Sequence, residues 1–220
     1  MTGTGHWMAA AVGRMIVGFA RALTGVRARW TERGAPRAMQ TLYFANHSSH
    51  ADFVLVWATL LPDLRASTRL VAAADYWTSS RLRRFIGGEV FRAVLIDRAP
   101  KADGPDPVRQ MADALHAGDS LIMFPEGTRN TGDELLLPLK SGIFRLAREC
   151  PGVRLVPVWI ENLKRVLPKG ALVPLPLACT VRYGDPLELR EGEDKAGFLE
   201  RARAALLALR PDDDREEGTA

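Results

Sequence analysis

The sequence predicts an α/β fold in which a central mixed, largely parallel sheet is flanked by helices and preceded by an N-terminal amphipathic interfacial helix. Short apolar runs of strand length alternate with longer stretches of helical periodicity, which is the pattern of packed α/β layers. The chain has 220 residues and an ordinary globular composition, so one domain with a substantial core is expected. We divide it into a membrane-associating segment with a basic linker (1–40), a main domain (41–210) and an acidic tail (211–220).

The first element is a helix predicted over residues 7–23. At about 100° per residue its apolar side chains share one face and its arginines lie opposite; these residues are Met8, Val12, Met15, Phe19 and Leu23 against Arg14 and Arg21. This pattern is typical of a helix lying in a membrane interface. The alternative is a helix packed on its own domain, because Gly13 and Gly18 weaken a free helix. No apolar run reaches the roughly 20 residues of a membrane span, and no secretory signal is apparent.

Arginines crowd the first forty residues, where Glu32 is the only acid. A basic front end fits anionic lipid headgroups, and a solvated charged surface is the alternative. It would also fit nucleic acid, but no nucleic-acid module follows, so no such partner is expected. Cys150 and Cys179 fit no zinc or redox spacing and are expected to be core thiols in a reducing compartment.

The later elements follow from β-branched apolar runs and from helix start and stop signals. Strands are predicted at 41–45, 69–74, 93–96, 120–124, 154–160 and 179–183. Helices are predicted from Ser48 or Ser49 to Pro62, and at 79–86, 107–116, 139–148 and 195–209. Proline at the start of a helix and glycine after its end support the helix at 107–116, which Gly118 closes. The proline-rich stretch at 167–177 is expected to be a surface excursion.

The segment Asn46-His47-Ser48-Ser49-His50-Ala51-Asp52 follows the first of these strands and places a histidine five residues before an aspartate. A histidine oriented by a carboxylate is a general base at neutral pH. Five residues advance about 140° past one helix face, so we expect His47 in the turn before a helix and Asp52 in its first turn. Alternatively, Ser49 and Asp52 form a capping box. No further ligand joins His50, so no metal site is expected.

The segment Phe124-Pro125-Glu126-Gly127-Thr128-Arg129 follows another strand, at the end where open α/β sheets bind ligands. Gly127 permits close backbone approach, Thr128 offers a hydroxyl, and Arg129 can hold a phosphate through two hydrogen bonds. Alternatively, Glu126 braces an arginine or caps a turn, and Arg129 forms an exposed ion pair.

Together, the two segments resemble the H-x4-D and F-P-E-G-T-R blocks of the lysophosphatidate (1-acylglycerol-3-phosphate) acyltransferase family, over roughly residues 42–160. The resemblance implies that His47 is the base, that Asp52 orients it, and that the second block binds the acceptor's phosphate through Glu126, Gly127, Thr128 and Arg129.

Three shorter segments extend the resemblance. Ile96-Asp97-Arg98 resembles a block that ends in a phosphate-contacting arginine, which is Arg98 here. Lys140, in Leu139-Lys140-Ser141-Gly142, matches a basic segment whose amides at a helix start would favour an anion. Val156-Pro157-Val158 resembles the block that shapes the acyl pocket, although a buried strand is an equally good interpretation. Residues 72–77 depart from the family because they are rich in alanine and aromatic residues, which leaves the acceptor open.

The resemblance implies an O-acyltransferase of phospholipid biosynthesis that is peripheral or monotopic on the cytoplasmic face of the membrane. It would move a fatty acyl group from acyl-CoA or acyl carrier protein to 1-acylglycerol 3-phosphate, giving phosphatidate, with no cofactor besides that co-substrate. Open alternatives are another acceptor (another lysophospholipid or a hydroxyacyl aminolipid), a thioesterase, and a non-catalytic lipid-binding module.

Overall fold

The computed structural model describes residues 3–35, 37–97, 104–161 and 179–211. Seven strands within these ranges form one sheet in the order β1-β7-β6-β2-β5-β3-β4. The strands are β1 (Arg27–Trp30), β2 (Thr41–Ala45), β3 (Thr68–Ala73), β4 (Val94–Ile96), β5 (Ser120–Met123), β6 (Arg154–Glu161) and β7 (Thr180–Tyr183). All neighbours are parallel except β6 and β7, so the predicted mixed, largely parallel sheet is confirmed.

Helices cover both faces of this sheet. They are α1 (Gly3–Thr24), α2 (Asp52–Thr59), α3 (Pro62–Ala66), α4 (Ala74–Thr78), α5 (Arg81–Phe85), α6 (Pro107–His116), α7 (Gly142–Glu149) and α8 (Lys195–Leu207), and a π-helical turn (Ile86–Val90) continues α5. Local sequence determines where several of these helices begin. The Asp106 side chain accepts from the amide of Val108 ahead of α6, and the Asp194 side chain accepts from the amide of Gly197 in α8, as N-cap residues do.

The core lies in two layers because side chains alternate across each strand. In β2, Tyr43 and Ala45 join the layer that contains residues of α1, α2 and α4. Leu42 and Phe44 join the opposite layer, which contains residues of α6, α7 and α8. Every residue of β2 is buried, as expected for a parallel strand covered on both faces. The buried strand β2 therefore anchors the segment that follows its carboxyl end, residues 46–52.

The basic linker predicted before residue 41 contains a strand. β1 pairs in parallel with β7, and the Trp30 ring stacks on Tyr183 with centroids 4.3 Å apart. Its arginines are exposed while Ala28 and Trp30 are partly buried, the alternation of an edge strand with one covered face. A linker without a strand is therefore wrong for residues 27–30. The alternation was missed in the sequence because arginine occupies every exposed position of this short strand.

Several predicted boundaries also need correction. The helix expected from Ser48 or Ser49 to Pro62 is α2 followed by a separate α3 that begins at Pro62, where proline is favoured. The helix expected at 79–86 is α5 with its π-helical turn, capped by the Ser80 side chain, which accepts from the amide of Arg83. The helix expected at 139–148 begins at Gly142. The proline-rich stretch at 167–177, Arg98 and the tail beyond residue 211 lie outside the described residues.

The N-terminal helix is present as α1. Its small side chains form the side that is buried against the rest of the fold; they are Ala9, Gly13, Val17, Ala20 and Thr24. A Cβ at Gly13 would lie 3.1 Å from the Trp57 ring, so glycine permits this close packing. The other side leaves Trp7, Met15 and Phe19 exposed by 63%, 71% and 68%. The helix thus packs on its own domain and still presents an apolar surface. Among the described residues, no helix combines the length and apolarity needed to cross a bilayer.

Candidate active site

The two motifs meet at the carboxyl ends of β2 and β5, which are adjacent parallel strands. His47 follows β2 by two residues, and Phe124 follows β5 directly. Their rings stack with centroids 4.1 Å apart and an interplanar angle of 16°. Residues that are far apart in the sequence therefore form one site at the edge of the sheet where open α/β folds bind ligands.

His47 is held by Asp52. The Nδ1 atom lies 2.9 Å from Oδ2 of the fully buried Asp52 carboxylate. The same oxygen accepts the amides of Ser48 at 2.6 Å and Ser49 at 2.7 Å. Since two N–H groups already point at Oδ2, that oxygen acts as an acceptor and the proton of the third contact belongs on Nδ1. The other ring nitrogen, Nε2, is then unprotonated in neutral His47, and the side chain is 19% exposed.

Both interpretations of Asp52 describe part of this turn. His47 lies before α2 and Asp52 is its first residue, as the five-residue spacing predicts. The carboxylate also reaches back to the Ser49 amide, which is one half of a capping box. The other half is absent, because Ser49 Oγ accepts from the amide of Ala51 at 3.3 Å and the N-cap position is Ala51. One carboxylate therefore closes the turn and orients the histidine.

Glu126 braces the backbone of His47. Its Oε1 accepts the His47 amide at 2.6 Å, and its Oε2 accepts the Leu137 amide at 2.9 Å. The side chain is only 2% exposed. Burial raises the pKa of the Glu126 carboxyl, and the two backbone hydrogen bonds oppose that rise. This geometry favours turn capping over phosphate contact for Glu126, because both oxygens already have partners.

Two asparagines complete the frame around His47. Asn46 donates from Nδ2 to the Ile160 carbonyl and accepts the Ile160 amide at Oδ1, at 3.1 and 2.7 Å, which fastens the end of β2 to β6. The Asn130 amide donates to the carbonyl of His47 at 2.7 Å. The role of Asn130 was missed in the sequence, where the run Asn130-Thr131-Gly132-Asp133 indicates a turn but not its partner.

The remaining predicted residues that the structure describes lie in or against the turn after β5. Gly127 has a φ of +69°, and a Cβ there would lie 2.6 Å from Lys140 Cε, so this glycine both bends the chain and makes room for the lysine. The Lys140 amide donates to the Pro125 carbonyl at 2.8 Å. Thr128, Arg129 and Lys140 are exposed. Within the described ranges Arg129 forms no ion pair, so that alternative finds no support there.

The chain is similar in sequence to known acyltransferases. A protein-family model described as Acyltransferase matches residues 29–161, a span that contains both motifs. A curated 1-acyl-sn-glycerol-3-phosphate acyltransferase of Limnanthes alba is 27% identical over 153 residues, which cover 67% of this chain and 50% of that relative. One of Cocos nucifera is 26% identical over 158 residues, which cover 71% of this chain and 48% of that relative. The chain therefore spans about half the length of the curated relatives it matches.

A solved structure extends the likeness to the fold. The crystal structure of the 1-acyl-sn-glycerophosphate acyltransferase PlsC from Thermotoga maritima superposes with a TM-score of 0.66 and 20% sequence identity. The match covers 91% of this chain and 80% of that chain. At this identity the likeness establishes a shared fold.

Proposed function

The chain belongs to the acyltransferase family, and from that premise we propose that it moves a fatty acyl group from a thioester to the free hydroxyl of 1-acylglycerol 3-phosphate, giving phosphatidate. The names of the curated relatives support this acceptor. The observation that carries the proposal is the His47–Asp52 pair, 2.9 Å apart, next to an exposed glycine turn bearing cations. A pure binding module needs no oriented base.

The proposed reaction uses the free Nε2 of His47. This nitrogen removes the proton of the acceptor hydroxyl while the oxygen attacks the thioester carbonyl carbon. The buried Asp52 carboxylate stabilises the imidazolium that forms. As the tetrahedral intermediate collapses, the C–S bond breaks and the departing sulfur takes the proton from Nε2. The products are the ester and a free thiol, and His47 returns to its neutral state without any cofactor.

The proposed site for the acceptor's phosphate is the turn Gly127–Arg129 together with Lys140. Arg129 is exposed and has no ion-pair partner among the described residues, and Lys140 lies against Gly127. The Arg129 guanidinium, two residues beyond Gly127, and the Lys140 ammonium would offer planar and point-charge donors to one phosphate. Glu126 supports this site indirectly, because it joins His47 to Leu137 and so sets the distance between the base and the turn.

We place the enzyme at a membrane surface. The exposed Trp7, Met15 and Phe19 of α1 are the side chains of an interfacial helix, and the exposed Arg14 on the same helix suits anionic headgroups. Arg21 instead donates to the Ala58 carbonyl of α2 at 2.8 Å. A cytoplasmic orientation fits the free thiols of Cys150 and Cys179.

The test is thiol release from acyl-CoA by purified protein, with and without 1-acylglycerol 3-phosphate, beside His47→Ala. Acceptor-dependent release that falls by at least ~100-fold in the variant is the expected result. A matched control is His116→Ala, which removes an exposed histidine elsewhere in the chain and should leave the rate unchanged.

Other outcomes point to other functions. Release that needs no acceptor would indicate a thioesterase. If acyl-CoA and this acceptor give no release, acyl carrier protein donors and other lysophospholipid or hydroxyacyl aminolipid acceptors are tried next. Inactivity with the whole panel, together with lipid binding that survives His47→Ala, would indicate a lipid-binding module.

A further inference from the structure

A stack of three side chains connects the turn of His47 to a basic helix. The ring of His50 stacks on Tyr76 with centroids 5.5 Å apart and an interplanar angle of 14°. The guanidinium carbon of Arg83 lies 4.4 Å from the centroid of the same Tyr76 ring. His50 belongs to the turn that carries His47, Tyr76 to α4 and Arg83 to α5. The proposed acyl transfer does not yet use any of these three residues.

This stack and the turn that bears Lys140 approach His47 from different faces of the sheet. α2 and α4 contribute to the core layer on one face, through Leu55 and Trp77. α7, which follows Lys140, contributes to the other layer through Ile143 and Phe144. The chain therefore carries two separate groups of cations, one on the β5 turn, whose Phe124 stacks on His47, and one on α5, connected to the His47 turn through Tyr76 and His50.

The group on α5 is strongly positive. Across α4 and α5, residues 74–85, the chain carries Arg81, Arg83 and Arg84 against the single acid Asp75, and all three arginines are exposed. The Arg83 side chain is fixed in place, because it lies over the Tyr76 ring and donates from Nη1 to Ser79 Oγ at 2.8 Å. A guanidinium that lies over a ring still has N–H groups available for an anion.

The two substrates of an acyl transfer carry their phosphates at different distances from the reacting atoms, so the cations that bind them should lie at different distances from His47. In 1-acylglycerol 3-phosphate the phosphate is close to the reacting hydroxyl, so its cations must be next to His47, as the β5 turn is. In the donor a long pantetheine arm separates the thioester from its first phosphate, so the matching cations should lie farther away. Arg83 meets that requirement, because its guanidinium contacts the Tyr76 ring, which in turn stacks on His50 of the His47 turn.

We propose that Arg83, held on Tyr76 and flanked by Arg81 and Arg84, binds the phosphate of the phosphopantetheine carrier of the acyl thioester. This inference rests on the proposed acyl transfer. Acyl-CoA and acyl carrier protein share that phosphate, so the contact serves either donor. A lipid surface is the main rival partner for these arginines, because Leu82 beside them is 67% exposed.

The test compares Arg83→Gln with Arg148→Gln. Arg148 is a matched control, because it is an exposed arginine of α7 whose guanidinium carbon lies 5.7 Å from the Phe144 ring centroid. Binding of CoA is measured first by calorimetry, without acceptor or turnover. KM values are then measured for acyl-CoA, for acyl carrier protein and for acyl-pantetheine, which has the thioester arm without the phosphate. Binding to phosphatidylglycerol vesicles is measured in parallel.

We expect Arg83→Gln to weaken CoA binding and to raise KM for acyl-CoA and for acyl carrier protein by about tenfold, the effect of losing a charge-assisted hydrogen bond. KM for acyl-pantetheine, KM for the acceptor and vesicle binding should stay unchanged, and Arg148→Gln should match the wild type throughout. Full CoA binding by Arg83→Gln would overturn the inference even if the acyl transfer itself is confirmed.

Three further results would also overturn it. A rise in KM for the acceptor would assign Arg83 to the acceptor site. A rise confined to acyl carrier protein would indicate a protein–protein contact rather than a phosphate contact. Loss of vesicle binding with intact CoA binding would assign α5 to the lipid surface. If instead the wild type binds CoA through Arg83 but transfers no acyl group, the donor site stands and the proposed reaction fails.

Discussion

The site has an inner region and an outer region that are built in opposite ways. In the inner region Asp52 and Glu126 are 0% and 2% exposed, and they accept backbone amides from two segments, residues 47–49 and Leu137. In the outer region Gly127, Thr128, Arg129 and Lys140 are all exposed. Asp52 Oδ2 and both oxygens of Glu126 are hydrogen-bonded within the folded chain, and only Asp52 Oδ1 among these carboxylate oxygens has no hydrogen-bond partner in the described part of the chain. The outer region has the exposure that the proposed binding of a phosphate requires.

Because of this difference, the inner residues should contribute to the stability of the fold and the outer residues to substrate binding. Buried carboxylates require hydrogen-bond donors because an unpaired buried charge is strongly unfavourable. The groups that orient His47 are therefore also groups that hold the fold together. Exposed cations contribute little to stability. We expect inner substitutions to change both the rate and the free energy of unfolding, and substitutions of the outer side chains of Thr128, Arg129 and Lys140 to change KM alone.

The largest expected effect follows replacement of Asp52. Asp52→Asn should lower kcat by about 10²- to 10⁴-fold, because a neutral amide cannot stabilise the imidazolium and can select the wrong tautomer of His47. Asp52→Ala should also lower the free energy of unfolding by about 1–3 kcal/mol, since the amides of Ser48 and Ser49 lose their acceptor. Steady-state kinetics and urea unfolding measure the two effects. An alanine variant as stable as the wild type would contradict the dual role.

Glu126→Gln should lower kcat by roughly 10- to 100-fold while KM for the acceptor changes by less than about threefold. The side-chain NH₂ of glutamine cannot accept a hydrogen bond, so either the His47 or the Leu137 amide loses its partner and the base shifts from its position. A large rise in acceptor KM with kcat preserved would instead restore the phosphate-contact role of Glu126.

The same substitution tests a pH dependence of stability. Burial raises the pKa of Glu126 in the folded state, so the folded protein binds this proton more tightly than the unfolded chain. The contribution of Glu126 to stability is then fully present below the unfolded pKa of about 4.3 and is lost as the pH rises through the folded pKa. The stability deficit of Glu126→Gln should therefore be largest near pH 4 and shrink toward neutral pH. Urea unfolding across that range checks the sign.

Outer substitutions should give smaller and purely kinetic effects. Arg129→Gln should raise KM for the acceptor by about tenfold, from the loss of a charge-assisted contact with phosphate, and leave the free energy of unfolding within about 0.5 kcal/mol of the wild type. The matched control is Arg27→Gln, which removes an exposed arginine from edge strand β1. Equal KM values for the two variants would remove Arg129 from the acceptor site.

The smallest effect on chemistry is expected from α1. Met15→Ser combined with Phe19→Ser should reduce binding to phospholipid vesicles by about tenfold, because two exposed apolar side chains no longer enter the interface. Turnover of a detergent-dispersed acceptor should be unchanged. Ala10→Ser alters an exposed position on another side of the helix and serves as the control. Deleting α1 would be a poorer experiment, since Ala9, Val17 and Ala20 are buried in the fold.

Much of the site follows from local sequence. The five-residue spacing predicted that His47 lies before a helix and Asp52 in its first turn, and the structure has this arrangement. The Phe124–Arg129 segment was likewise predicted to follow a strand, and it follows β5. Both features depend on residues near each other in the chain. In contrast, the frame around His47 depends on Glu126, Asn130 and Ile160, which are distant in the sequence. The hydrogen bond from the His47 amide to Glu126 joins residues 79 positions apart, and the one from the Ile160 amide to Asn46 joins residues 114 positions apart. No local pattern specifies such partners.

By itself, the sequence determined the α/β class, the strands that carry both motifs, and the turn that places His47 just before a helix and Asp52 at its start, because these depend on periodicity and short spacings. Only the tertiary structure decided that Glu126 is a brace, that residues 27–30 form an edge strand, and that α1 packs through its small residues while its large ones stay exposed. Each of these depends on which distant segment lies alongside, and that is set by the packing of the whole chain.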